Sequence, residues 1–311
     1  MRNTLNVIRL GLTGLILFFI TVSCSSEKGE GNTSIPLVVA TTGMIADMVK
    51  NLAGDQLEVV GLMGPGVDPH LYKATQRDLS LLRKADVIFF NGLHLEGKMG
   101  EVLESFSREK PVFAFSEGIP ESALIQVDEA TGSFDPHLWF DVSLWAKGIP
   151  LIEEKLSQEF PSYSEVFSEY ATTYQDSLEA LDSWVRDQIN TLPVASRIMV
   201  TAHDAFAYFG KAYQVQVRGL QGISTVAEFG LKDRKELVDL IVERKIKSVF
   251  VETSVSSKSL EAVVSDCKQR GWEVNIGGTL FSDAMGASDT PEGTYIGMVR
   301  ANVNTLIQGL N

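Results

Sequence analysis

Short apolar runs and helix-period segments alternate along the first third of the chain. Runs rich in β-branched residues at 36–40, 57–63 and 86–90 predict buried strands. Apolar residues spaced three and four apart predict helices at 44–52 and 77–83. Strands that alternate with helices in this way indicate parallel α/β units.

The last third of the chain repeats the same alternation. The predicted strands are 197–201, 248–252 and 272–276, and the predicted helices are 205–213, 232–244, 260–270 and 295–310. The sequence therefore predicts a second α/β unit of the same kind.

A segment without proline or glycine lies between these two halves, from 164 to 192. Its apolar residues recur at spacings of three and four: Phe167, Tyr170, Ala171, Tyr174, Leu178, Leu181, Trp184, Val185 and Ile189. One helix of this length would span about 43 Å. We prefer a rigid connector between the two halves, which implies small lobe movements. A coiled-coil arm is the alternative.

The predicted fold class is α/β, with two lobes joined by this one long backbone helix, each lobe a central, mainly parallel sheet flanked by helices. We place the N-terminal lobe at 36–160, the connecting helix at 161–192 and the C-terminal lobe at 193–311. A total of 311 residues is enough for roughly two domains.

The first 23 residues have the features of an export signal. Arg2 and Arg9 flank the start, and the apolar stretch 10–20 is shorter than the roughly 20 residues of a membrane-spanning helix. A single anchor helix is the alternative. Cys24 follows directly in a context that resembles a bacterial lipobox, which implies lipidation of Cys24. The polar residues 24–35 then predict a flexible tether that holds the protein outside the cytoplasm, at the membrane.

Composition and charge exclude several classes of protein. The chain has 27 basic and 40 acidic residues, a formal net charge of −13 and 44% hydrophobic residues, as expected for a globular protein. The acidic balance argues against nucleic-acid partners but leaves cationic ligands open. Two cysteines cannot build a disulfide scaffold or a four-cysteine zinc site. Cys267 lies in a predicted helix, where we expect a buried structural residue.

Three of the four histidines occur in suggestive positions. The triplet Asp-Pro-His occurs twice, ending at His70 and at His137, and His203 lies just beyond a predicted strand. Ligands of parallel sheets bind at the carboxyl ends of the strands, and neutral imidazole is a versatile ligand for Zn²⁺ and related ions. These three histidines are therefore predicted metal ligands. His94 also follows a strand, but we expect a hydrogen-bonded structural role for it.

Carboxylates complete the predicted site. Asp283 follows the last predicted strand in a glycine-containing loop and is the best fourth ligand. A second set of aspartates could accept the other ring N–H of a ligating histidine and fix its tautomer. The candidates for that role are Asp68, Asp135, Asp141 and Asp204.

Several longer runs carry a resemblance to a known family. They are Asp68-Pro69-His70, Asn91-Gly92-Leu93-His94-Leu95-Glu96, Asp135-Pro136-His137-Leu138-Trp139, His203-Asp204-Ala205-Phe206 and Phe281-Ser282-Asp283-Ala284-Met285-Gly286. Together they resemble the TroA-like metal-binding lipoproteins of bacterial ABC importers, over essentially the whole mature chain. The resemblance implies one divalent transition metal ion (Zn²⁺, Mn²⁺ or Fe²⁺) held between the lobes and delivered to a membrane permease. It also implies that His70 and His137 are ligands from the N-terminal lobe, and His203 and Asp283 from the C-terminal lobe.

Two other functions compete with metal import. A metal-dependent hydrolase would keep an open ligand position, and the chain has no His-Glu-x-x-His motif and no Gly-x-Ser-x-Gly motif. A cell-adhesion protein with a structural metal is compatible with the tether. We expect a monomeric binding protein that is not an enzyme, with metal affinity falling below about pH 6 as imidazoles become protonated.

Overall fold

Two parallel four-stranded sheets with the same strand order form the centre of the fold. The computed structural model describes residues 35–311, apart from 129, 131, 227 and 228. The predicted export signal, the predicted lipidation site Cys24 and all but the last residue of the tether lie outside the described residues. No helix in the described part of the chain combines the length and apolar character that crossing a membrane requires.

The elements of the N-terminal lobe are β1 (Leu37–Ala40), α1 (Gly43–Ala53), β2 (Glu58–Gly61), α2 (Gln76–Lys84), β3 (Val87–Phe90), α3 (Gly100–Ser107), β4 (Val112–Ala114), β5 (Gln126–Asp128), β6 (Ser133–Phe134), α4 (Val142–Ala146) and α5 (Ile149–Glu159). The first sheet has the order β2-β1-β3-β4, all parallel. Strands β5 and β6 form a separate antiparallel pair.

The long helix and the C-terminal lobe follow: α6 (Ser164–Asn190), β7 (Ile198–His203), α7 (Ala207–Tyr213), β8 (Gln216–Gln221), α8 (Leu231–Arg244), β9 (Ser248–Glu252), α9 (Lys258–Gln269), β10 (Asn275–Leu280) and α10 (Tyr295–Leu310). The second sheet has the order β10-β9-β7-β8, again all parallel. When the strands of each sheet are numbered 1 to 4 in chain order, both sheets have the order 2-1-3-4. The predicted α/β fold with two lobes is confirmed.

The central strands of the first sheet are buried on both faces. Alternate residues of β1 belong to different clusters: Val38 packs on the side of α1 and α6, and Val39 packs with Leu82 of α2 and Leu103 of α3. This explains the nearly continuous apolar runs that the central strands show in the sequence.

Helix α6 runs for 27 residues, about 40 Å, along both lobes. It packs on α1, α4 and α5 of the N-terminal lobe and on α7 and α10 of the C-terminal lobe. Its buried stripe contains Phe167, Leu178 and Ile189. The connector interpretation is therefore confirmed and the coiled-coil arm is wrong. Tyr170 is exposed and Trp184 half-buried, so these two are not part of the buried stripe.

One predicted strand is misplaced. The strand expected at 272–276 is β10 at Asn275–Leu280, so the glycine pair expected in a loop lies within the sheet. A side chain at Gly277 would meet Phe250 at 2.9 Å and Gly309 of α10 at 3.2 Å. Glycine is needed here because α10 packs directly on the strand. Strands β4 and β8 are edge strands that are not predicted from the sequence: β4 is only three residues long, and β8 has no continuous apolar run.

Candidate metal centre

Four side chains from both lobes meet in one buried cluster. His70, His137, His203 and Asp283 each place one ligand atom so that all four atoms lie within 4.8 Å of one another. The four side chains are between 0% and 3% exposed. All four residues that were predicted as metal ligands are thus brought together by the fold.

The distances within the cluster match a small, four-coordinate ion. Nε2 of His70 lies 3.3 Å from Nε2 of His137. Asp283 places Oδ1 at 3.5 Å from Nε2 of His137 and Oδ2 at 3.4 Å from Nε2 of His203. Tetrahedral ligands with bonds of about 2.0–2.1 Å to Zn²⁺ lie about 3.4 Å apart. Three imidazoles and one carboxylate are also donors that Zn²⁺ and its neighbours accept.

Strand ends position the two ligands of the C-terminal lobe. His203 is the last residue of β7, and Asp283 lies three residues after β10. Because β7 and β10 end at the same edge of one parallel sheet, the side chains that follow them converge there.

Two identical turns position the ligands of the N-terminal lobe. The backbone N–H of His70 donates to Oδ1 of Asp68 at 2.9 Å, and that of His137 donates to Oδ1 of Asp135 at 3.0 Å. Asp accepting from the backbone two residues later is an Asx turn, and the intervening proline restricts the backbone of the turn further. The repeated Asp-Pro-His triplet is thus one local structure built twice.

Carboxylates orient two of the three imidazoles. Nδ1 of His137 is 2.6 Å from Oδ1 of Asp135, so Asp135 is within hydrogen-bond distance of an imidazole. Nδ1 of His203 is hydrogen-bonded to Oε2 of Glu252, and Oε1 of Glu252 accepts the backbone N–H of His203 at 2.8 Å. With Nδ1 engaged in this way, Nε2 of each ring is directed to the centre of the cluster.

Glu252 is a residue that sequence reasoning missed. It ends β9, which is the neighbour of β7, so its carboxylate lies beside His203 at the same sheet edge. The signal in the sequence is an acidic residue that directly follows the apolar run Val249-Phe250-Val251.

Of the other three aspartates predicted to contact an imidazole, two have different roles and the third makes no hydrogen bond to a histidine ring in the described residues. Oδ2 of Asp68 accepts the hydroxyl of Thr225 at 2.6 Å. Asp141 caps the N-terminus of α4 by accepting the N–H of Leu144 at 3.0 Å. Asp204 is half-buried, and in the described part of the chain it makes no hydrogen bond to a histidine ring.

The remaining histidine lies outside the cluster. His94 is exposed and has a left-handed backbone with φ of 63°. Its imidazole has no hydrogen-bond partner among the described residues, so the expected hydrogen-bonded structural role is wrong. The structure agrees with the expectation that His94 is not among the ligands.

Charges inside the cluster move the pKa values in opposite directions. Burial lowers the pKa of His70 to about 4, so this ring is neutral at ordinary pH. Burial also opposes the charged form of His203, but the nearby carboxylates of Asp283 and Glu252 outweigh it and raise the pKa of His203 well above its usual value. Burial alone would raise the pKa of Asp283, but His203 and the other two imidazoles lower it.

Three buried polar atoms in or beside the cluster lack hydrogen-bond partners among the described residues. They are Nε2 of His203, Oδ1 of Asp283 and Oδ2 of Asp135. An unsatisfied buried polar atom costs about 1–3 kcal/mol. A cation at the centre would be bound by the first two atoms, and the arrangement therefore fits a divalent metal ion.

Hydrogen bonds between the lobes hold the two halves of the cluster in register. Nε1 of Trp139, two residues after His137, donates to the carbonyl of Ser282 at 3.0 Å. The hydroxyl of Tyr208 donates to the carbonyl of Asp135 at 2.9 Å. Each bond joins a segment that carries a ligand to the opposite lobe, which reduces the freedom of the ligands to separate.

Comparison with known proteins finds close relatives over the whole described chain. The family model for zinc-uptake complex component A, periplasmic (ZnuA), matches residues 38–309. The manganese-binding lipoprotein MntA of Bacillus subtilis (strain 168) is 48% identical over 305 residues, covering 97% of this chain and 99% of the relative. The zinc-binding protein TroA of Treponema pallidum (strain Nichols) is 48% identical over 275 residues, covering 88% and 89%.

Solved structures show the same fold. The structure of the periplasmic zinc-binding protein TroA from Treponema pallidum has a TM-score of 0.87 at 48% identity, covering 89% of this chain and 99% of that one. The Fe(III)-bound YtgA from Chlamydia trachomatis has a TM-score of 0.79 at 25% identity, covering 89% and 98%. Proteins with this fold are therefore described with zinc, manganese or iron.

Proposed function

This chain belongs to the ZnuA family of extracytoplasmic solute-binding proteins, and from that premise we propose that His70, His137, His203 and Asp283 together bind one divalent transition metal ion. The family consists of transport components and not of enzymes, so a metal-dependent hydrolase is excluded. The protein binds its metal as the substrate of an ABC importer.

The observation that carries the ligand assignment is the convergence of four buried donor atoms from two lobes within 4.8 Å. Two donors come from each lobe, so a bound ion would link the lobes directly. Part of the binding free energy would therefore stabilise the contact between the two lobes. Release would require the lobes or their loops to separate.

The donor set favours Zn²⁺ over Mn²⁺ in affinity. Mn²⁺ is the weakest binder of the divalent first-row series and suits oxygen ligands, whereas three of the four donors here are imidazole nitrogens. We expect the protein to bind both ions and to bind Zn²⁺ more tightly. Competitive titration of the metal-free protein with the two ions measures this order directly.

Single alanine variants test the ligand assignment. His70→Ala, His137→Ala, His203→Ala and Asp283→Ala should each weaken Zn²⁺ binding by more than about 100-fold, because loss of a direct ligand should exceed the 10–100-fold cost of losing an outer partner. His94→Ala is the matched control, since this histidine is exposed and outside the cluster. Unchanged binding in two or more of the four variants would refute the assignment.

We further propose that Cys24 carries the lipid anchor after removal of residues 1–23, with 24–35 as the tether to the membrane. Relatives that are named lipoproteins support this proposal. Mass spectrometry of the membrane-extracted protein, with Cys24→Ser as the control, should show a lipid mass on the wild type alone. A wild-type protein that keeps residues 1–23 would contradict it.

The permease of an ABC importer is the proposed partner, and the protein is proposed to act as a monomer without contact to nucleic acid. The proposed lobe boundaries are 36–160 and 193–311, with 161–192 as the connector. The two sheets lie on either side of α6 in the sequence, which supports these boundaries. Light scattering of the metal-loaded protein tests the monomer proposal, and a concentration-independent dimer would contradict it.

A further inference from the structure

One hydrogen bond joins the loops of opposite lobes beside the ligand cluster. Asp68 lies in the N-terminal lobe, in the loop after β2, and Thr225 lies in the C-terminal lobe, in the loop after β8. The hydroxyl of Thr225 donates to Oδ2 of Asp68 at 2.6 Å. Thr225 is 8% exposed, although the next residue, Val226, is 52% exposed. The hydrogen bond is therefore shielded from solvent, although the next residue of the loop is exposed.

Both partners of this bond are tied to metal ligands. Oδ1 of Asp68 accepts the backbone N–H of His70 at 2.9 Å. On the other side, Nε2 of Gln221 donates to the carbonyl of Thr225 at 3.0 Å, and Gln221 is the register partner of His203 in the sheet. Hydrogen bonds thus link His70 through Asp68 and Thr225 to Gln221, which lies beside His203 in the sheet, without passing through any of the four donor atoms.

The loop that carries Asp68 approaches the C-terminal lobe at a second point. Gly66 has a φ of 71°, and a side chain there would lie 3.4 Å from the carbonyl oxygen of Thr253. Thr253 follows Glu252, the residue that orients His203. The loop that carries Asp68 and His70 is therefore seated against the segment that supports His203.

We infer that the hydrogen bond between Thr225 and Asp68 is a clasp that controls how fast the bound metal ion leaves. The inference rests on the proposed function and adds a positioning role for two residues that are not ligands. For His70 to move away from the ion with its loop, the clasp has to break first. An ion that enters while the clasp is open does not have to break the hydrogen bond between Thr225 and Asp68. The clasp should therefore slow dissociation and leave association almost unchanged.

Thr225→Val tests the clasp because valine keeps the shape of threonine and removes the hydroxyl. The protein is loaded with Zn²⁺ and mixed with an excess of a zinc-binding dye that traps each released ion, and the dissociation rate is followed from the dye signal. Because a hydrogen bond to a charged acceptor is lost, dissociation should become about tenfold faster, with the association rate within about twofold of wild type. Thr225→Ser keeps the donor and should dissociate within about twofold of wild type.

Two controls show whether the hydroxyl acts through Asp68. Thr172→Val removes an exposed hydroxyl that donates to the carbonyl of Ser168 within α6. This variant should not change the dissociation rate of Zn²⁺. In an Asp68→Asn background, the increment caused by Thr225→Val should shrink from about tenfold to about threefold, because a neutral acceptor makes a bond roughly half as strong. Circular dichroism of every variant confirms that it is folded.

Specific results would overturn the clasp. They are dissociation of Thr225→Val within about twofold of wild type, dissociation of Thr225→Ser as fast as that of Thr225→Val, or an increment that the Asp68→Asn background leaves unchanged. Failure of the proposed function gives a different result, namely a wild-type protein that binds no Zn²⁺ or a His70→Ala variant that binds it normally. The two failures are therefore distinguishable in the same experiment.

Discussion

Glu252 offers a test of how outer carboxylates tune this site. Glu252 is 4% exposed and makes two contacts to one residue, to Nδ1 of His203 and to its backbone N–H. Glu252→Gln keeps the size of the side chain and an acceptor oxygen, but removes the negative charge. The imidazole of His203 becomes less basic as a result, and a less basic imidazole is a weaker metal ligand.

The expected magnitude follows from these contacts. Loss of an outer partner of a metal ligand typically costs 10–100-fold in affinity, which corresponds to about 1.4–2.7 kcal/mol. Since glutamine keeps one hydrogen bond, we expect the lower end, about tenfold weaker Zn²⁺ binding at pH 8. Two effects compete at lower pH. The carboxylate of Glu252 raises the pKa of His203, so its removal also reduces the competition between protons and metal. The difference between variant and wild type should therefore shrink toward pH 6.

Competitive titration with a zinc chelator at pH 6, 7 and 8 measures both parts of this prediction. Glu236→Gln is the matched control, because Glu236 is an exposed residue of α8 whose ion pair among the described residues is with Lys232 on the same helix. Zn²⁺ affinity of Glu252→Gln within about twofold of wild type at pH 8 would refute the role assigned to Glu252. If the loss of Zn²⁺ affinity relative to wild type became larger as the pH falls, the role of proton competition would be refuted.

Further predictions concern pH, packing and metal removal. Because burial lowers the pKa of His70 to about 4 whereas the neighbouring carboxylates raise that of His203 well above its usual value, a proton on His203 competes with the metal, and affinity should rise with pH as that proton is lost more easily; calorimetry in buffers of different ionisation enthalpy detects the proton that is released on binding, and an affinity that does not change with pH would be the contrary result. Gly277→Ala should cost about 1–3 kcal/mol, since the added carbon would lie 2.9 Å from Phe250, whereas Gly64→Ala, with open space around it, should change the melting temperature by less than about 2 °C. Chelation of the metal should leave the helical circular dichroism signal intact, because the apolar clusters lie outside the metal cluster; loss of the signal would favour a structural metal.

The pH prediction differs from the one made from the sequence alone. Three ligating imidazoles with ordinary pKa values predict loss of affinity below about pH 6. In the structure the pKa values of two histidines differ instead. Burial lowers the pKa of His70, and the two carboxylates beside His203 raise its pKa. Burial and charge partners depend on tertiary structure, so this separation could not be predicted from residue types and spacing.

Much of the fold and all four members of the cluster could be predicted from the sequence. The helix and strand periods locate the central strands, and the strand ends and the repeated Asp-Pro-His triplet indicate His203, His70 and His137. Asp283 also lies in the cluster where the sequence predicts it, although its preceding glycines lie in β10 and not in a loop. The convergence was predictable because parallel strands expose their carboxyl ends at one edge.

The supporting residues could be predicted only where they are neighbours in the chain. Asp135 is two residues from His137 and was predicted to contact an imidazole. Glu252 lies 49 residues from His203 and reaches it only because β9 pairs with β7. Asp68 has the same local spacing as Asp135, yet its second oxygen is taken by Thr225, 157 residues away. Spacing predicts the local turn, and the sheet order decides the remaining contacts.

The central claim is that three imidazoles and one carboxylate from two lobes bind a single metal ion. X-ray absorption at the zinc edge of the protein loaded with one equivalent of Zn²⁺ tests this most directly. We predict three nitrogen ligands with imidazole scattering and one oxygen ligand, at about 2.0–2.1 Å. Asp283→Ala should lose the carboxylate oxygen and keep the three imidazoles. A site with fewer than two imidazoles, or a spectrum that Asp283→Ala and His137→Ala leave unchanged, would contradict the claim.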